Sequence, residues 1–161
     1  MGFKGTPVLD QLGQQFPLID PRSLAGSAVI RLPGRPESVR RARDFTRSTL
    51  RDWLLPEQFD AVALVVSELV TNALRHAAGP AHAADGCGLP PVEMELMRSA
   101  RRLVCAVQDG ENSVPRIRRA DSAAECGRGL HLVECFSDGW GWRPLTDGRP
   151  GKVVWAAFRI A

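Results

Sequence analysis

Glu68 and Asn72 stand four residues apart in "SELVTNALRHA" (residues 67–77), inside an otherwise apolar run. Arg75 and His76 follow on nearly the same side. On a helix turning about 100° per residue, Glu68, Asn72 and Arg75 fall within about 60° of one another, and His76 within about 40° of Asn72. Val62, Val66, Leu69, Val70, Ala73 and Ala77 form the opposite, core-facing side. Leu64 and Val65 flank the polar stripe one turn earlier, which sets Glu68 at the rim of an apolar cavity. A carboxylate there must be hydrogen-bonded or functional, because burying it unpaired is costly. Two bland readings stand beside the functional one: a Glu68–Arg75 ion pair, or a stripe that simply faces solvent.

Two further signals lie downstream. Asp109 closes a strand of apolar residues and Gly110 follows at once, so the acid is placed to accept from a ligand N–H; it is also a common turn residue. "GRGL" (127–130) precedes a helix. Gly127 and Gly129 would let backbone approach a ligand closely, and a helix N-terminus offers free N–H groups to phosphate. No GxxxxGK[ST] occurs, which excludes Walker-type ATP chemistry.

These residues need a scaffold. "SAVIRL" (27–32) reads as a short strand broken by Pro33, Gly34 and Pro36. "ESVRRARDFTRSTLRDWL" brings Val39, Ala42, Phe45, Thr46, Leu50, Trp53 and Leu54 near one face and arginines to the other, an amphipathic helix. Pro56 opens a second helix over about 57–78, stopped by Gly79-Pro80. "VEMELMR" (92–98) and "RLVCAVQD" (102–109) alternate and form an antiparallel hairpin. Residues 110–126 are polar, Arg-rich and irregular, the signature of a lid or a disordered stretch. A short helix (127–137) and two strands, "DGWGWRPL" and "GKVVWAAFRIA", complete the chain. The order β-α-α-β-β-lid-α-β-β predicts an α+β fold: a two-layer sandwich, mostly antiparallel, with helices on one face. Residues 1–25 show no sustained period and read as a flexible N-terminal tail to one domain over 26–161.

The 161 residues suffice for one compact domain. The net charge of +3 is too mild to argue for direct nucleic-acid binding. Nineteen of the twenty-one basic residues are arginine, and the only lysines are Lys4 and Lys152. No apolar run is long enough for a membrane span and no secretory h-region opens the chain, so a cytoplasmic protein with reduced thiols is expected. Cys87, Cys105, Cys126 and Cys135 include no CxxC pair. His131 and Cys135 can share a helix face with Cys126 near its start, a conceivable metal or redox site weighed against small buried hydrophobes and one surface histidine.

Taken in order, E-x3-N on a helix, D-G after a strand, a lid and G-x-G-L opening a helix resemble the GHKL ATP-binding group (gyrase, histidine kinase, heat-shock chaperone, MutL). Within it, the chain is most similar to the small anti-sigma-factor serine kinases of the RsbW type. "SELVTNALRHA" matches the N-box, "VQDGEN" the first glycine box and "GRGLHLVECFSDGWGW" the second, over about residues 27–160. The resemblance implies a Bergerat-type fold, ATP and Mg²⁺ as cofactors, and roles position by position. Asn72 would ligate Mg²⁺ through its amide oxygen. Glu68 would orient or deprotonate the attacking hydroxyl or water. Asp109, with Gly110 beside it, would accept from the adenine amino group. Gly127 and Gly129 would let the lid close over the phosphates, with Arg128 and Leu130 in the same turn. Arg75 and His76 would lie near the nucleotide. The implied partners are a sigma factor and an anti-anti-sigma protein of the STAS type, with a homodimer as the working unit. The chain departs from the first box, D-x-G-x-G, by carrying Glu111 and Ser113 at the two glycine positions.

Overall fold

The computed structural model describes residues 21–77, 91–110, 128–145, 148 and 150–161. Five strands form one sheet: β1 (Gly26–Leu32), β2 (Val92–Arg98), β3 (Arg102–Asp109), β4 (Gly139–Pro144) and β5 (Lys152–Arg159), in the order β1-β2-β3-β5-β4, every pair antiparallel. Among the described residues three α-helices accompany it: α1 (Ser38–Asp52), α2 (Phe59–Ala77) and α3 (Arg128–Phe136). A 3-10 turn, Pro56–Gln58, leads into α2.

Position in the sheet explains the composition of each strand. β3 and β5 are internal and lie buried almost end to end, so they read as near-continuous apolar runs. β1 lies at an edge and alternates, with Ile30 and Leu32 turned inward and Val29 and Arg31 exposed. The register pairs Ile30 with Met94, Met94 with Val107 and Val107 with Val154, so one parity of residues lines one face throughout.

That face carries the three described helices. Ala42 and Leu50 of α1, Val62, Val66, Leu69, Val70 and Ala73 of α2 and Val133 of α3 form one core cluster with Leu32, Met94, Leu96, Leu103, Cys105, Val107 and Phe158 of the sheet. The expected α+β sandwich with helices on one side is therefore observed. The opposite face is not simply wet. Met97, Val104, Ala106, Val153, Trp155 and Ala157 form a second buried cluster there, with Leu24 and Leu145 packed against it. Gly141 makes room for it, because a Cβ at that position would stand 2.4 Å from the Trp155 ring.

Periodicity places Leu54 on the buried face of α1, and the structure corrects this. The helix ends at Asp52, Leu54 turns into the left-handed region (φ 60°) and its side chain is 84% exposed. The backbone explains the turn: Leu54 N–H donates to Arg51 O (3.0 Å) and Leu55 N–H to Leu50 O (2.7 Å), a Schellman-type cap with leucine where glycine is usual. No helix among the described residues is long and apolar enough to cross a membrane.

Candidate functional site

α2 is the spine of the site. Val62, Val65, Val66 and Val70 have no exposure at all, and Leu69 and Ala73 have 2%. On its flank toward α1, Arg43 Nη1 donates to Ser67 Oγ (3.3 Å), which donates in turn to Ala63 O (2.7 Å). Glu68 and Asn72 project about 100–140° away from Ser67 around the helix and are half-buried. Among the described residues neither has a side-chain hydrogen bond or ion pair, so the Glu68–Arg75 pair does not form there. A carboxylate and an amide, one turn apart and held at the edge of a rigid core, are thus left free to take a ligand.

Arg75 is exposed and belongs elsewhere in part. It lines a cavity of about 290 Å³ with Gly34, Arg35, Pro36, Val39, Thr71 and Leu74, and Glu68, Asn72 and Asp109 are not among its lining residues. His76 lies in the last turn of α2.

Asp109 ends β3 on the helix-covered face, in line with Leu103, Cys105 and Val107. It is 5% exposed. Across the strand pair its opposite number is Lys152, whose Nζ lies 3.1 Å from Asp109 Oδ1 and 3.0 Å from Oδ2. Lys152 is itself fully buried, the largest such side chain in the described structure. Gly151 makes this junction possible. Its φ is +136° and a Cβ there would stand 2.3 Å from the Asp109 carbonyl oxygen, so only glycine lets the start of β5 close onto the end of β3. Gly110 has open space where a Cβ would go.

Arg128, Gly129 and Leu130 form the first turn of α3, which packs against α2. Gly127, and the arginines expected in the lid, lie outside the described residues. Farther along α3, Cys135 Sγ and His131 Nε2 meet at 3.7 Å, both exposed. Among the described residues no three His, Cys, Asp or Glu side chains converge, which leaves that pair without the ligand set of a metal centre; Cys126 lies outside them. Cys105 is buried in the core, and burial pushes its thiol up to about 12.

The structure therefore brings the Glu68–Asn72 stripe, Asp109 and the first turn of α3 onto one side of the sheet, and sets Arg75 partly apart. Sequence reasoning missed Lys152. The signal was present: one of only two lysines in an arginine-rich chain opens a strand that is otherwise apolar.

A helix bearing E-x3-N, set over an antiparallel sheet whose central strand ends in a buried aspartate, defines an α+β sandwich class. The chain belongs to the histidine kinase-like ATPase domain family, whose model matches residues 32–158. Among solved structures it is similar in fold to a chain of the SiaB–SiaC complex from Pseudomonas aeruginosa, with a TM-score of 0.57 and 14% identity, covering 96% of this chain and 99% of that one. No curated protein matches it by sequence.

Proposed function

We propose that the protein binds ATP with Mg²⁺ and transfers the γ-phosphoryl group to a serine of a partner protein, acting as an anti-sigma factor whose partner is an anti-anti-sigma protein. One observation carries the reading: Glu68 and Asn72 share one stripe of α2, half-buried and with no side-chain partner among the described residues, in a family of ATPase domains. The donor set fits the cofactor. A single amide oxygen suits a hard cation that takes most of its ligands from phosphate and water, and no all-protein cage is needed. Mg²⁺ bound there supplies charge neutralisation at the phosphates.

Asn72 holds the cation and orients the triphosphate. Asp109 accepts from the adenine amino group. The N–H groups of the first turn of α3, formed by Arg128, Gly129 and Leu130, meet phosphate oxygens, and Gly127, the preceding residue in sequence, belongs to the same proposed phosphate-binding set. Arg75 and His76 stand at the outer end of α2. Glu68 takes the proton of the attacking serine hydroxyl as its oxygen bonds to the γ-phosphorus; the bond from that phosphorus to the bridging oxygen breaks, and ADP leaves. A partner protein and a homodimer are part of this proposal, and the likeness to a chain from a two-protein complex supports the first.

The test is phosphate transfer to a candidate anti-anti-sigma protein by wild type and Glu68→Ala. The variant is expected to bind ATP normally and to lose transfer by at least about 100-fold, the usual size of a general-base contribution. Equal transfer by both contradicts the mechanism. A second reading rests on Glu111 and Ser113 standing where the first glycine box has glycines. It is an ATP-sensing interaction module, and it predicts Mg²⁺-dependent binding with no transfer to any partner.

A further inference from the structure

Lys152 is the residue whose place in the fold most needs a reason. An ammonium fully withdrawn from water is costly, and a buried ion pair is often no more stabilising than apolar side chains of the same volume. The strand around it, "KVVWAAF", is otherwise apolar, and its same-face neighbours Val154, Ala156 and Phe158 are core residues. Stability alone therefore does not call for a lysine. What the lysine does have is a specific target. Its Nζ sits nearly equidistant from the two carboxylate oxygens of Asp109, at 3.1 and 3.0 Å, brought there by the register of β3 and β5 and by the close approach that Gly151 permits.

We propose that Lys152 is a positioning residue that fixes Asp109 in its ionised form and thereby sets which purine the site accepts. The inference rests on the reading above, that Asp109 meets the base. An ionised carboxylate is an acceptor only; a protonated one also donates. A 6-amino purine offers a donor to that carboxylate, and a 6-oxo purine offers a second acceptor. With Lys152 in place the 6-oxo base leaves acceptor facing acceptor in a buried site, the kind of mismatch that discriminates strongly. Without a countercharge a buried carboxylate takes up a proton, and Asp109 then tolerates the 6-oxo base as well.

The experiment uses the full chain and two probes, ADP and inosine diphosphate, which carries a carbonyl where ADP carries the amine. Dissociation constants are measured by calorimetry for wild type, Lys152→Gln, Lys152→Arg and Asp109→Asn, with circular dichroism as the check on folding. Wild type is expected to prefer ADP. Lys152→Gln keeps a hydrogen-bond donor but not the charge, and the preference is expected to fall at least about tenfold, with Lys152→Arg restoring it. An unchanged ratio in Lys152→Gln, even with both affinities weakened, overturns the proposal and leaves Lys152 a structural prop. An Asp109→Asn variant with the wild-type ratio, or a wild type that binds neither nucleotide, sinks the reading of Asp109 itself, and the proposal with it. Should Lys152→Gln not fold, the infrared carboxyl band of Asp109, assigned by difference from Asp109→Asn, decides the matter. An ionised band with and without ADP supports the proposal; a protonated one overturns it.

Discussion

The carboxylate of Asp109 and the ammonium of Lys152 meet as a buried pair, at 3.0 and 3.1 Å, from opposed positions at the ends of β3 and β5. The pair lies on the face of the sheet that the helices cover, the face to which α2 contributes Glu68 and Asn72. It joins the last strand of the chain to a central one at the place where the proposed base would sit.

Breaking the pair from one side leaves the other group buried without its countercharge, to be held charged or neutralised at a cost. Asp109→Leu and Lys152→Met are each expected to cost about 3–5 kcal/mol of stability. Replacing both together removes both charges, and the double variant is expected to return to within about 1–2 kcal/mol of wild type. Denaturant melts of the four proteins close the cycle. Additive losses in the double variant would show that the two residues do not act as a pair.

The cap of α1 offers an independent check on the backbone. Leu54 adopts φ 60° with its side chain 84% exposed, so little burial is lost by removing it. A left-handed L-residue costs about 1–2 kcal/mol, and glycine gives back roughly 0.5–1 kcal/mol in chain entropy. Leu54→Gly is therefore expected to stabilise by up to about 1 kcal/mol, raising the thermal midpoint by about 2–4 °C. A lower midpoint would contradict the left-handed cap.

Glu95 on β2 yields a pH dependence. Burial raises its pKa above the ordinary 4.5, and the hydrogen bond from Ser27 Oγ, at 2.8 Å, pulls the other way. A raised carboxyl holds its proton more tightly folded than unfolded. Its contribution is then fully present below the ordinary value and is lost as pH rises through the folded one. Glu95→Gln copies the protonated form and can still accept from Ser27. The variant is expected to be more stable than wild type at neutral pH, with the gap closing as pH falls below the ordinary glutamate range. Urea melts across pH read this directly; a gap that widens toward acid would reverse the assignment.

Local patterning carried much of the fold. "VEMELMR" and "RLVCAVQD" became β2 and β3 with the expected bounds, because alternation and the intervening "SAR" are properties of neighbouring residues. The buried side of α2 followed from the same helical spacing that set Glu68 and Asn72 apart from it. Leu54 escaped the pattern because a cap is decided by backbone hydrogen bonds rather than by periodicity. Lys152 escaped for a different reason. Its partner lies 43 positions away, and the pairing exists only because β5 inserts between β3 and β4 in the sheet. Nothing local in "GKVVW" announces that neighbour. The second apolar cluster, around Trp155, was hidden in the same way, since its members come from three strands brought together only by the sheet order.

The central claim is that α2 presents a cation-dependent nucleotide site through Asn72. The most direct measurement is the ADP binding curve by calorimetry, with and without Mg²⁺, for wild type and Asn72→Ala. Wild type is expected to bind more tightly with Mg²⁺, and Asn72→Ala to lose that gain while remaining folded. Equal Mg²⁺ dependence in both proteins, or no nucleotide binding by wild type, would contradict the account.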